Sequence, residues 1–167
     1  MADLRGHDLR CTLPAGWDGR ITVRNDGHPQ ALSTDDGEHA FTARPQPVVH
    51  LANFGLPEER GDFGSGAVEL MGDRDVFVVL FEYDHESAKT ALFAPKGLPR
   101  DLSASAFDPL LLRRGIQGQT GYQSFFHEGG RAFCLYVVLG SAARRNALVR
   151  LVNAVLPTVR ITPRPAG

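Results

Sequence analysis

Hydrophobic positions are most continuous in the last third of the chain, where they predict one strand followed by one helix. Residues 132–139 form an unbroken apolar run, which is typical of a strand buried on both faces. Apolar residues then recur at helical spacing, which predicts an amphipathic helix from a cap at Ser141 to a stop at Pro157. We expect this helix to cover one face of the sheet with an apolar stripe of Leu148, Leu151, Val152, Val155 and Leu156.

Shorter apolar or alternating segments predict the other strands, most of them joined as hairpins. A turn at residues 14–19 favours pairing of the first two strands, and Gly129 and Gly130 favour a turn before the last strand. The predicted strands are 9–13, 20–24, 48–54, 67–71, 76–83, 122–127 and 132–139. Because hairpins give antiparallel pairing, the sequence predicts an α+β fold with a mostly antiparallel sheet of six or seven strands. We expect residues 1–167 to form a single globular domain.

Composition narrows the possible classes of protein. The net charge is −1 and the basic residues are scattered, so the sequence lacks the cluster of positive charge that is typical of a nucleic-acid-binding protein. Those basic residues are arginines except for Lys89 and Lys96, which together with abundant Ala, Gly and Pro indicates a GC-rich bacterial genome. Two cysteines are too few for a disulfide framework, and neither a signal peptide nor an apolar run of about 20 residues occurs. We therefore expect a cytoplasmic protein that does not bind membranes.

The densest group of titratable residues follows the apolar strand at 76–83. Glu82, Asp84 and His85 lie where this strand leaves the sheet, and His50 lies within another apolar strand. These four residues are the candidates for a ligand-binding pocket. Consecutive residues of an extended chain point to opposite faces, so the cluster is not expected to bind a metal ion. The alternative is a solvated strand end with a helix cap, with His50 as a hydrogen-bonded core residue.

No recognised catalytic or cofactor motif is present, so no catalytic residue and no cofactor are assigned. The glycine-rich segment at residues 61–66 precedes a predicted strand, whereas a phosphate-binding loop precedes a helix. Phe125 and Phe126 are adjacent on a strand and must point to opposite faces of the sheet. If one of the two rings is exposed, it marks an interaction surface.

The order of elements resembles the Mog1/PsbP-like fold group in two places. Near the start, a strand leads through Leu-Pro-Ala-Gly-Trp at residues 13–17 into a second strand at 21–23. Near the end, the strand at 133–139 leads into the helix and a short apolar tail at 159–161. The resemblance implies an α/β/α sandwich around an antiparallel sheet, which usually serves as a non-catalytic binding module.

These observations favour a non-catalytic protein-interaction module that binds an unidentified protein partner through its long loops, at residues 55–66 and 94–121. The alternative is a small-ligand-binding protein, or an enzyme of unrecognised type, with a pocket near Glu82, Asp84, His85 and His50. A homodimer formed through an open sheet edge is a third hypothesis.

Overall fold

The computed structural model describes residues 1–23 and 46–164, so residue 24 of the second predicted strand lies outside the described part. Within these residues the chain forms eight β-strands and one α-helix, joined by loops with short 3₁₀ turns. The elements are β1 (Ala2–Gly6), β2 (Leu9–Leu13), β3 (Asp18–Val23), β4 (Pro47–Ala52), β5 (Val76–Tyr83), β6 (Thr120–Glu128), β7 (Arg131–Leu139), α1 (Arg145–Val155) and β8 (Arg160–Ile161).

The strands form two antiparallel sheets rather than the one sheet that the sequence predicts. The larger sheet has the order β3-β4-β5-β7-β6, and the smaller sheet has the order β1-β2-β8. The two longest apolar runs, β5 and β7, pair from Val76↔Leu139 to Tyr83↔Ala132 near the middle of the larger sheet. Their unbroken hydrophobicity fits this place, because both faces of the larger sheet are covered.

The first face of the larger sheet carries the main apolar core. Side chains such as Val78, Leu80, Leu135 and Val137 pack there with helix α1 and the smaller sheet. The second face carries Phe77, Val79, Phe81, Tyr136 and Val138, and loop residues cover it instead of a helix. Among the described residues the only α-helix lies on the first face, so the structure shows a loop layer where an α/β/α sandwich has helices.

The predicted hairpin between residues 9–13 and 20–24 is wrong. Strand β2 pairs with β1 and β8, and β3 pairs with β4. The true partner, β1, is a polar segment without an apolar alternation, so its sequence does not indicate a strand. The turn joining β1 to β2 consists of His7 and Asp8, both at positive φ, where a two-residue hairpin turn usually has Asn-Gly.

A second strand prediction, at residues 67–71, is also wrong. Val68–Leu70 forms a 3₁₀ turn, which is closed by a hydrogen bond from the Met71 amide to the Val68 carbonyl. Val68 is buried in the core of the second face, so its hydrophobicity reflects packing of a loop rather than pairing of a strand.

The predicted helix is confirmed, with one error in its buried stripe. Leu148, Val152 and Val155 are buried, but Leu151 is 39% exposed and Val149 takes its place in the core. The chain turns through residues 141–144 before the helix begins at Arg145. No helix within residues 1–23 and 46–164 has the length and apolar character needed to cross a membrane.

Candidate functional site

Glu82 is a buried structural residue rather than an exposed pocket group. Its carboxylate accepts two hydrogen bonds from Arg131, one from Nε to Oε1 at 2.8 Å and one from Nη2 to Oε2 at 2.9 Å. Arg164 adds a further hydrogen bond from Nη1 to Oε1 at 3.0 Å. Both carboxylate oxygens are therefore occupied, and such a satisfied pair is costly to disrupt.

Arg131 ties three parts of the chain together. Besides contacting Glu82, it donates to the carbonyls of His7, Asp8 and Thr162, each at 3.1 Å. All five N–H donors of its guanidinium are thus used. We call these contacts of Arg131 with Glu82, His7, Asp8 and Thr162 the clasp. The clasp joins the β1–β2 turn and the segment after β8 to the centre of the larger sheet, so its function is structural.

Asp84 and His85 lie beside the clasp and are exposed. The Asp84 carboxylate caps a 3₁₀ turn by accepting hydrogen bonds from the Ser87 amide at 2.9 Å and hydroxyl at 2.7 Å. Both residues line a cavity of about 220 Å³ together with Glu82 and Arg131. The structure therefore brings three of the four predicted pocket residues together, but the central carboxylate is already neutralised.

His50 lies apart from the other three, on β4 at the second face, and is 2% exposed. Arg60 Nε donates to Nδ1 at 2.7 Å, so Nε2 carries the proton and donates it to the Asp62 carbonyl at 2.7 Å. Burial lowers the pKa of His50 to about 4; the Arg60 cation acts in the same direction, and the Asp62 hydrogen bond acts against it. His50 therefore stays neutral and anchors the loop that contains Asp62.

Acid is expected to destabilise the protein through His50. Below pH 6.5 the unfolded chain binds a proton at this residue, whereas the folded chain does not until pH falls to about 4. The unfolding free energy should therefore fall by about 3 kcal/mol more in the native protein than in His50→Gln on going from neutral pH to about pH 4. Urea denaturation across this range measures the difference.

An NMR titration of the imidazole provides an independent check that needs no variant. The His50 resonances should keep the chemical shifts of a neutral ring well below pH 6.5. Protonation of His50 at its ordinary pKa in the folded protein would contradict the expected pH dependence.

Phe125 and Phe126 do not provide the exposed ring that an interaction surface at this place requires. Phe126 is buried and stacks on Phe133 with ring centroids 5.5 Å apart. Phe125 is half-buried on the other face, 5.6 Å from the ring of Phe93 and 6.3 Å from that of Tyr83. Both rings therefore pack within this chain.

A second cavity, of about 250 Å³, lies on the second face where the two long loops meet over β7. One side is the segment 61–65, which is closed by a hydrogen bond from the Gly61 amide to the Ser65 carbonyl at 2.8 Å. Gly64 lets this segment approach the sheet, because it has φ +94° and a Cβ there would lie 2.4 Å from Phe77 Cε1. We call this cavity the second-face pocket; it is lined by Gly61, Asp62, Phe63, Ser65, Val68, Arg113, Arg114, Gln119, Tyr136 and Val138.

Arg113 is held in this pocket by stacking rather than by an ion pair. Its guanidinium carbon lies 3.6 Å from the centroid of the Phe63 ring, which stacks in turn on Phe81. The guanidinium carbon lies 5.6 Å from the centroid of the Tyr136 ring, and the Arg113 amide donates to the Tyr136 hydroxyl at 2.9 Å. No carboxylate within the described ranges forms a salt bridge with it, whereas Arg114 contacts Glu69 at 2.7 Å.

Gln119 has the one buried side-chain carbonyl of the second-face pocket whose hydrogen-bonding capacity is unused. The residue is 4% exposed, and its Nε2 donates to the Val68 carbonyl at 2.9 Å. That bond fixes the orientation of the amide, and Oε1 has no hydrogen-bond partner within residues 1–23 and 46–164. A buried acceptor without a donor costs about 1–3 kcal/mol, so it needs an explanation.

Sequence reasoning missed the residues that define this pocket. The two loops were identified by their length and glycine content, but Arg113, Gln119 and Tyr136 have no motif around them. Tyr136 is part of an apolar run, and its hydroxyl reaches the pocket only because the second loop folds over β7. The juxtaposition comes from loop packing, which leaves no periodic signal.

The fold and the pocket together define an α+β protein with a loop-covered sheet face that contains a mixed polar and aromatic cavity. No family model, no curated protein and no solved structure matches this chain. Within residues 1–23 and 46–164, no group of three or more His, Cys, Asp or Glu residues is arranged to hold a metal ion.

Proposed function

We propose that this protein binds a small polar molecule in the second-face pocket. The observation that carries the proposal is the unused Oε1 of Gln119, because a bound molecule with an N–H or O–H group would supply the missing donor. This oxygen is buried, so we expect a small movement of one of the two loops to admit the ligand. Retaining a buried, unsatisfied acceptor at a cost in stability is typical of a binding site.

The shape and lining of the pocket support the proposal. Its volume of about 250 Å³ lies just below the usual range for ligand pockets, so it suits a compact molecule. The lining combines aromatic and apolar side chains with a few polar groups that can fix an orientation. Both long loops contribute to it, and function commonly resides on loops held by a rigid sheet.

Binding without catalysis fits the groups present. The imidazole nearest in the chain to the pocket segment, that of His50, has both nitrogens hydrogen-bonded, so it is not available as a general base. Burial also raises the pKa of the Cys134 thiol to about 11, which keeps it from acting as a thiolate nucleophile.

Small-molecule binding can be tested by NMR on the ¹⁵N-labelled full chain with separate sets of small carboxylic acids, amines, amides and alcohols. At least one set should shift the amide resonances of residues 61–65 and 113–119. Gln119→Leu should weaken that binding about tenfold or more, because the donor of the ligand loses its acceptor. Gln117→Leu, an exposed glutamine of the same loop, serves as the control and should leave it unchanged.

Two results would overturn the proposal. One is that none of the four sets perturbs these residues. The other is that Gln119→Leu and Gln117→Leu bind equally well.

Protein interaction and a Mog1/PsbP-like fold stay predictions. The antiparallel sheet and the C-terminal helix are compatible with the fold group, and the second-face loops are the surface expected to bind a partner. An interaction surface at Phe125 and Phe126 also stays a prediction; each ring contacts another ring of this chain.

A further inference from the structure

We infer that the ligand is a small carboxylic acid that also carries an O–H or N–H donor, with its carboxylate at Arg113 and its donor at Gln119. This inference rests on the proposed function of the second-face pocket and specifies the chemical class that the pocket accepts.

The Arg113 guanidinium forms no salt bridge with a carboxylate of the described residues, so it can pair with the carboxylate of a ligand. The guanidinium lies over the Phe63 ring, and a contact of this kind uses none of its N–H groups. An ordered guanidinium with unused N–H groups is suited to a two-pronged contact with a carboxylate. Arg114 is exposed, as Arg113 is, but its guanidinium is already paired with Glu69 at 2.7 Å.

Tyr136 adds a second donor at the same end of the pocket. Its hydroxyl oxygen accepts the Arg113 amide hydrogen at 2.9 Å, and no acceptor for its own proton is found within residues 1–23 and 46–164. Burial raises the pKa of Tyr136, so the hydroxyl keeps its proton at neutral pH. A carboxylate at Arg113 can therefore accept from this hydroxyl as well.

The other end of the ligand must donate a hydrogen bond. With one Nε2 hydrogen bonded to the Val68 carbonyl, Oε1 is the Gln119 side-chain atom without a partner among the described residues, and a carbonyl oxygen repels an anion. The pocket thus has a cationic donor end at Arg113 and an acceptor end at Gln119.

A carboxylate fits this arrangement better than a phosphate ester. Among the described residues, the cationic lining consists of Arg113 and Arg114, and Arg114 is already paired with Glu69. A phosphate dianion carries more charge than one unpaired arginine balances, and the Gln119 carbonyl would oppose that charge.

The test is a titration of the full chain with 3- and 4-hydroxybenzoate, benzoate, phenol and phenyl phosphate, followed by calorimetry or NMR. Of the two hydroxybenzoates, the one with the higher affinity should bind at least about tenfold more tightly than benzoate, which has no hydroxyl donor. It should exceed phenol, which has no carboxylate, by a similar factor. It should also bind more tightly than phenyl phosphate.

Two variants test which residue binds the carboxylate of the ligand and which binds its hydroxyl. Arg113→Gln should remove the preference for hydroxybenzoate over phenol, and Gln119→Leu should remove the preference over benzoate. Gln119→Met provides a second variant if Gln119→Leu does not give a folded spectrum. Arg150→Gln, an exposed position of α1, is the control and should leave all affinities unchanged.

The outcomes separate this inference from the proposed function. Amines, amides or phenyl phosphate binding in the pocket as tightly as the hydroxybenzoates would overturn the carboxylic-acid assignment and leave small-molecule binding intact. Equal loss of affinity for all ligands in Arg113→Gln would also overturn the assignment. If no compound shifts residues 61–65 and 113–119, both proposals fail.

Discussion

Arg131→Met is expected to lower the free energy of unfolding by about 3–5 kcal/mol. Methionine fills much of the space but leaves Glu82 with only its contact to Arg164, and Glu82 is buried. The carbonyls of His7, Asp8 and Thr162 lose the hydrogen bonds from Arg131 at the same time, although His7 still accepts from Arg164 and Asp8 from the Thr162 amide. A buried charge deprived of its partner accounts for a loss of this size.

Urea denaturation at neutral pH measures the effect, with Arg160→Met as the matched control. Arg160 is exposed and donates only to nearby backbone carbonyls, so its replacement should change stability by less than about 1 kcal/mol. The double variant Glu82→Leu/Arg131→Met should be more stable than Arg131→Met alone, because it removes the uncompensated carboxylate. A loss below about 1 kcal/mol for Arg131→Met would show that the clasp is not structural.

Val152→Asp is expected to cost more than about 4 kcal/mol and to prevent a stable fold. Val152 is completely buried where α1 meets the first face of the larger sheet, and the core there is apolar. A carboxylate at this position loses its hydration and gains no partner. Circular dichroism and urea denaturation detect the loss.

The adjacent residue provides the matched comparison. Leu151 is 39% exposed, so Leu151→Asp should cost only about 1 kcal/mol, although the sequence pattern places this leucine in the buried stripe. If Leu151→Asp were as damaging as Val152→Asp, α1 would be rotated relative to the structure described above.

The sequence predicts well the strands and the helix whose own pattern of apolar residues requires them to be buried. Strands β5 and β7 and helix α1 are recognisable because long apolar runs and helical spacing require burial of those positions. Strand β1 is missed because its polar sequence becomes a strand only through pairing with β2. The smaller sheet therefore depends on long-range pairing, which periodicity does not reveal.

The candidate site is less predictable than the fold. The cluster of Glu82, Asp84 and His85 was found from its charge density, but Arg131, which neutralises Glu82, lies 49 residues away. The second-face pocket unites Phe63, Arg113 and Tyr136 from three separate segments. Only the packing of the two loops on the sheet brings such residues together.

The most direct test is a crystal structure of the full chain grown with the hydroxybenzoate that binds most tightly in titration. The account predicts that the ligand lies between residues 61–65 and 113–119, with its carboxylate on the Arg113 guanidinium and its hydroxyl hydrogen-bonded to Gln119 Oε1. A ligand bound elsewhere, with Gln119 Oε1 accepting a hydrogen bond only from an ordered water molecule, would contradict it.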